Sequence, residues 1–120
     1  KNEAVFKKNN LKNIFLITPQ TSDARIKQID EASDAFIYMV STASVTGSKS
    51  GFGTEQTKYF ERIAAMQLNN PQIVGFGINN SETFKQATAF TKGAIIGSAF
   101  IKHLTENGVE TISSFVKGIR

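Results

Sequence analysis

With 120 residues, 40% of them hydrophobic, the chain has the size of one domain and enough apolar side chains for a core, which excludes wholesale disorder. The absence of cysteine excludes a disulfide framework, thiolate metal sites and a cysteine nucleophile. The 14 basic residues outnumber the 10 acidic ones, but they scatter over expected helix faces instead of forming a stripe, so the charge argues against a nucleic-acid partner.

Residues 1–10 read as the end of a helix, with Ala4 and Phe6 as its apolar contribution and Asn9-Asn10 as its stop. Residues 11–18 carry the continuous run Ile14-Phe15-Leu16-Ile17, the pattern of a strand buried on both faces, and Pro19 ends it. Thr21 or Ser22 can cap the next helix, Asp23 complements its dipole, and Ile26, Ile29 and Ala32 are expected to face inward. A second apolar run at 35–40 follows after only Ser33-Asp34. Residues 41–53 are dense in Ser, Thr and Gly and read as a long binding loop or lid.

Thr54 is a ready N-cap for a helix to about Leu68, with Tyr59, Phe60, Ile63 and Met66 as the inward stripe. Residues 72–76 form the third strand. Asn79-Asn80-Ser81 then caps a helix with Glu82 in its first turn and Phe84, Ala87 and Phe90 expected in the core. Gly93 is expected to stop that helix before a fourth strand at 94–96. A helix from Ala99 to about Glu106 breaks at Asn107-Gly108 and resumes from Val109, with Ile112, Phe115, Val116 and Ile119 on one side.

Repeated strand-and-helix units predict an α/β fold with parallel strands and right-handed crossovers. Two successive strands end in glycines, at Gly75-Phe76-Gly77 and at Gly97-Ser98, and the second runs straight into a helix. Backbone N–H groups at such a corner, aligned with the positive end of a helix dipole, suit a phosphate. This matches the site that follows the last two strands of a (β/α)8 TIM barrel, of which the chain would supply roughly the last four βα units. An open flavodoxin-like sheet is the alternative, but its phosphate loop follows the first strand, and here Thr18-Pro19-Gln20 contains no glycine. The expected organisation is therefore the C-terminal half of a single barrel domain over residues 1–120.

In order and spacing, Ile17-Thr18-Pro19, Tyr38-Met39-Val40-Ser41 with Val45-Thr46-Gly47, Gly75-Phe76-Gly77-Ile78 and Gly97-Ser98-Ala99 resemble the tryptophan synthase alpha chain family. The resemblance runs end to end over the family's C-terminal half. It implies a lyase that cleaves indole-3-glycerol phosphate to indole and glyceraldehyde 3-phosphate, needs no cofactor of its own, and passes indole to a beta chain that uses pyridoxal phosphate. By the same resemblance, Gly47, Gly77, Gly97 and Ser98 bind phosphate. Thr46 belongs to the lid and helps orient a catalytic carboxylate, while Leu16, Tyr38, Phe76 and Ile95 line the indole pocket. Ser44 and Thr42 depart from the residues common in the family's lid.

Cleavage needs a general acid and a general base. In the family these are two carboxylates from the first half of the barrel, so they are expected upstream of Lys1, and the isolated segment is expected to be inactive. The acidic residues in the chain, Asp30 among them, fall in helices or caps and read as solvated faces. His103 reads as a surface or satisfied core residue without a role in the site, and no metal site is expected. No apolar run reaches the roughly 18 residues of a membrane span, and no signal-peptide core follows Lys1-Asn2-Glu3. The expectation is a soluble, cytoplasmic protein. Two other readings share the glycine corners: another phosphate-binding barrel, such as a sugar-phosphate isomerase or epimerase, or a non-catalytic half-barrel that self-associates.

Overall fold

The computed structural model describes residues 2–41 and 52–120. Four strands, β1 (Leu16–Ile17), β2 (Ile37–Val40), β3 (Gln72–Gly75) and β4 (Gly93–Ala94), form one sheet in the order β1-β2-β3-β4. Every neighbouring pair is parallel. Helices α1 (Glu3–Lys8), α2 (Asp23–Ala32), α3 (Thr54–Ala65), α4 (Ser81–Thr88), α5 (Ser98–Asn107) and α6 (Ile112–Ile119) alternate with the strands, and a 3-10 turn at Val109–Thr111 separates the last two. Sequential strand order with a helix in each crossover is the pattern of successive barrel units.

Register divides the sheet into two faces, because side chains alternate along each strand. One rung, Ile17-Met39-Val74-Ala94, crosses all four strands. Its Ile17, Met39 and Val74 are fully buried against Ile26 and Ile29 of α2, Tyr59, Phe60 and Ile63 of α3, and Ala87 of α4. Each such side chain taken from water contributes about 1.5–3 kcal/mol, so this face holds the layers together. The neighbouring rung, Leu16-Tyr38-Ile73-Gly93, points the other way, where Leu16 remains 57% exposed. The result is a slab only 20 Å thick in its short dimension.

Local chemistry sets most element starts. Ser22 Oγ accepts the Arg25 N–H at the head of α2. At α4, Asn80 Oδ1 accepts the Thr83 N–H at 2.8 Å while Thr83 Oγ1 accepts from the Asn80 N–H at 3.1 Å, a reciprocal capping box. Gly108, at φ 84°, ends α5 in a conformation that a side chain would resist.

Several expectations are corrected. The first strand pairs over only two residues and is not buried on both faces, since Leu16 lies opposite the helix layer. Gly53, not Thr54, is the N-cap of α3, and Thr54 already lies inside the helix. Ala32, the last residue of α2, is exposed. Phe90 lies past the end of α4 and remains 37% exposed. Gly93 is a strand residue, α4 having already ended at Thr88.

Asp30 is the largest correction: it is buried, not solvated. Its carboxylate accepts the Asn69 N–H at 2.8 Å, the Asn70 N–H at 3.0 Å and the Asn70 side-chain amide at 2.8 Å. This clamp ties α2 to the turn that leads into β3. Burial alone would raise the Asp30 pKa, but the hydrogen bonds from Asn69 and Asn70 favour the charged form more strongly and hold it below the ordinary carboxylate value.

Candidate functional site

Parallel strands bring their C-terminal ends to one edge. Counting from the shared rung, β1 leads into Thr18-Pro19, β2 into Val40-Ser41, β3 into Gly75-Phe76-Gly77 and β4 into Ile95-Ile96-Gly97-Ser98. Gly77 and Gly97 each lie three residues beyond the paired Val74 and Ala94. The two glycine turns therefore follow the C-terminal ends of neighbouring strands. Gly47 and Thr46, with the rest of 42–51 from the expected loop, lie outside the described residues.

At the end of β4, Gly97 precedes α5 with no side-chain cap, unlike the starts of α2 and α4. The first intrahelical bond runs from the Ile101 N–H to the Gly97 carbonyl, so the amides of Ser98, Ala99 and Phe100 lie ahead of it at the positive end of the dipole. A Cβ built on Gly97 meets no atom within 4 Å. Packing therefore does not demand glycine there, and the space above the turn is open. Ser98 is exposed and lines a cleft of about 430 Å³ with Asn79, Lys102 and His103.

The end of β3 has a different construction. Phe76 (φ 68°) and Gly77 (φ 79°) are consecutive left-handed residues, and a side chain at the first costs roughly 1–2 kcal/mol. Ser41, 1% exposed, opposes that cost: its Oγ lies 2.8 Å from the Gly75 carbonyl and 2.7 Å from the Phe76 carbonyl. The Ser41 N–H also donates to the Gly75 carbonyl at 3.0 Å. The sequence motif contains Ser41 but assigns it no role, and the signal it offers is a hydroxyl directly after the apolar run at 35–40.

Three of the four expected indole-pocket residues are tied together on the helix-free face. Leu16 pairs with Tyr38, and the Tyr38 and Phe76 rings meet edge to face with centroids 6.1 Å apart. Ile95 stands two residues after Gly93, a member of the same rung, and so shares the face. Phe76 is 60% exposed and Ile95 39% exposed, an open apolar wall of the kind a flat aromatic ligand can use. Gly75 admits this arrangement: a Cβ there would overlap the Tyr38 hydroxyl and ring.

At the end of β1, the Thr18 N–H donates to Thr21 Oγ1 at 2.9 Å, and Arg62 of α3 reaches the Thr21 carbonyl at 3.1 Å and Asp23 at 3.3 Å. The segments directly after the strands, residues 18–20, 41, 76–79 and 95–98, contain no carboxylate. Asp30 binds at the opposite edge of the sheet. His103 is engaged structurally, with Nε2 2.7 Å from Thr111 Oγ1 and its ring 4.8 Å from that of Phe115. Among the described residues, no group of three or more His, Asp or Glu side chains is arranged to hold a metal ion, and no helix is long and apolar enough to cross a membrane.

The family model of the tryptophan synthase alpha chain matches residues 2–118. The chain belongs to the tryptophan synthase alpha chain family. It is similar to the tryptophan synthase alpha chain of Flavobacterium psychrophilum, 68% identical over 95% of this chain and 45% of the relative. Its likeness to that of Christiangramia forsetii is 62% identity over 100% of this chain and 47% of the relative. Among solved structures, a tryptophan synthase alpha subunit from Pyrococcus furiosus superposes with a TM-score of 0.76 at 26% identity, covering 97% of this chain and 47% of that one. The fold is thus that of the alpha chain's TIM barrel, represented here by four βα units. The chain spans about half the length of the curated relatives it matches.

Proposed function

We propose that the protein to which this segment contributes is a lyase that cleaves indole-3-glycerol phosphate to indole and glyceraldehyde 3-phosphate, as the family resemblance implies. The observation that carries the reading is that the turns at Gly77 and Gly97 follow the C-terminal ends of the neighbouring strands β3 and β4, beside the uncapped start of α5. In this reading the amides near Gly77, Gly97 and Ser98 receive the phosphate dianion, with Gly47 contributing from the lid. Leu16, Tyr38, Phe76 and Ile95 receive the indole ring. Binding at both ends would fix the glycerol chain between them and leave the reacting carbons in a defined position.

Cleavage breaks the bond between indole C3 and the glycerol chain. A general acid protonates that ring carbon, a base takes the hydroxyl proton, and the electron pair of the broken bond remains with the indole. Two carboxylates supplied from outside this segment perform these transfers, Thr46 helps to orient one of them, and lid closure excludes water. Residues 1–120 then form the C-terminal half of one barrel domain, whose remaining units cover the apolar face bearing Leu16. No cofactor takes part in the alpha reaction. Indole passes to a beta chain that uses pyridoxal phosphate, in a cytoplasmic complex.

The test is direct. Full-length protein should release indole from indole-3-glycerol phosphate, and the 120-residue segment alone should not. The substrate should also raise the thermal midpoint of the full-length protein, while ribulose and triose phosphates should do so less. Stronger protection by ribulose phosphate, without indole release, would transfer the site to a sugar-phosphate isomerase or epimerase.

A further inference from the structure

Ser41 is the one buried hydroxyl at the mouth that touches two successive carbonyls of another strand, those of Gly75 and Phe76, among the described residues. In an extended strand successive carbonyls point to opposite sides, so a single side chain on a neighbouring strand meets only one of them. The left-handed turn at Phe76 rotates the second carbonyl back toward β2. A trans peptide unit is planar, with its N–H directed opposite its C=O, and the described chain contains no cis peptide bond. When the Phe76 carbonyl faces Ser41, the Gly77 N–H must face away from β2, toward the β4 side where Gly97 and Ser98 lie.

We infer that Ser41 is a positioning residue: its hydroxyl fixes the Phe76-Gly77 peptide so that the Gly77 N–H is aimed at the phosphate. The same bond keeps the Phe76 ring against Tyr38, 6.1 Å between centroids, so one hydroxyl sets both the phosphate end and the ring end of the site. The inference rests on the phosphate reading given above. Ser41 contacts neither reacting atom, and its effect runs wholly through the backbone it holds. Replacement by Ala removes the donor and leaves the two carbonyls facing an apolar methyl, which frees the peptide to turn.

The experiment uses full-length protein and the variants Ser41→Ala and Ser41→Thr, with inorganic phosphate as the probe. Two readings are taken: the ligand-free 13Cα and 13Cβ shifts of Phe76, which report its backbone conformation, and the phosphate dissociation constant. Ser41→Ala should move the Phe76 shifts out of the left-handed range and weaken phosphate about tenfold, the order of one lost hydrogen bond. Ser41→Thr, which keeps the hydroxyl, should retain the shifts and hold affinity within about twofold. Wild-type values of either reading in Ser41→Ala would overturn the inference. Should Ser41→Ala fail to fold, Ser41→Cys, with its weaker donor, should fall between Ser and Ala in phosphate affinity, and a wild-type affinity there would overturn it equally. Wild-type protein that ignores inorganic phosphate sinks the phosphate reading itself. That failure is told apart because the ligand-free Phe76 shifts still report whether the hydroxyl sets the turn.

Discussion

The phenol of Tyr38 occupies the space that a side chain on Gly75 would need. A Cβ at Gly75 would fall 2.7 Å from Tyr38 Cε1 and closer still to the hydroxyl, although the two residues are 37 positions apart. Gly75 is thus a packing glycine, and its backbone is otherwise ordinary strand. Gly75→Ala should cost the full-length protein about 1–3 kcal/mol, as overpacking does. Adding Tyr38→Ala should recover a large part of that cost, giving a coupling of about 1 kcal/mol or more in a double-mutant cycle read by urea unfolding. Simple additivity would show that the ring moves aside freely.

Gly97 should behave in the opposite way. No atom lies within 4 Å of a Cβ placed there, so Gly97→Val should fold and keep its thermal midpoint within about 2 °C, a surface-like change. Phosphate affinity should nevertheless fall at least about tenfold, because the new methyls shield the amides at the head of α5. Calorimetric titration with indole-3-glycerol phosphate beside a thermal melt separates the two effects. Wild-type affinity in the variant would remove Gly97 from the site.

Asp30 makes stability depend on pH. Its pKa is held below the unfolded value of about 3.9, so the folded state favours the ionised form. The contribution is then fully present above about pH 4 and is lost as pH falls through the lowered folded value. Asp30→Asn should cost about 1.5–3 kcal/mol at pH 7 through the weakened clamp on Asn69 and Asn70. The variant should also lose less stability than wild type between pH 4 and pH 2, as followed by urea midpoints. Parallel curves over that range would show that another carboxylate governs the acid limb.

Tyr59 joins α3 to β1 through its hydroxyl, which donates to the Ile17 carbonyl at 3.1 Å. Burial pushes this phenol above its ordinary pKa, so it stays protonated as a donor through the alkaline range where exposed tyrosines ionise. Tyr59→Phe keeps the packing and removes the donor, and should cost about 1–2 kcal/mol in chemical unfolding. Spectrophotometric titration should show one fewer late-titrating tyrosine in the variant.

The sequence determined what is local. Continuous apolar runs separated by capped helices set the order of elements and their parallel sense, and Ser22 and Asn80 cap helices because their oxygens reach amides only three residues on. The ordered motifs from Ile17-Thr18-Pro19 to Gly97-Ser98-Ala99 likewise identified the family. What the tertiary structure decided depends on which residues lie opposite one another. The burial of Asp30 required the turn at Asn69-Asn70 to arrive from 39 and 40 positions away. Gly75 needed a partner, Tyr38, and Ser41 needed the carbonyls of Gly75 and Phe76, 34 and 35 positions further along the chain. Periodicity records which face a side chain points to, whereas strand register and helix packing alone fix what it meets there.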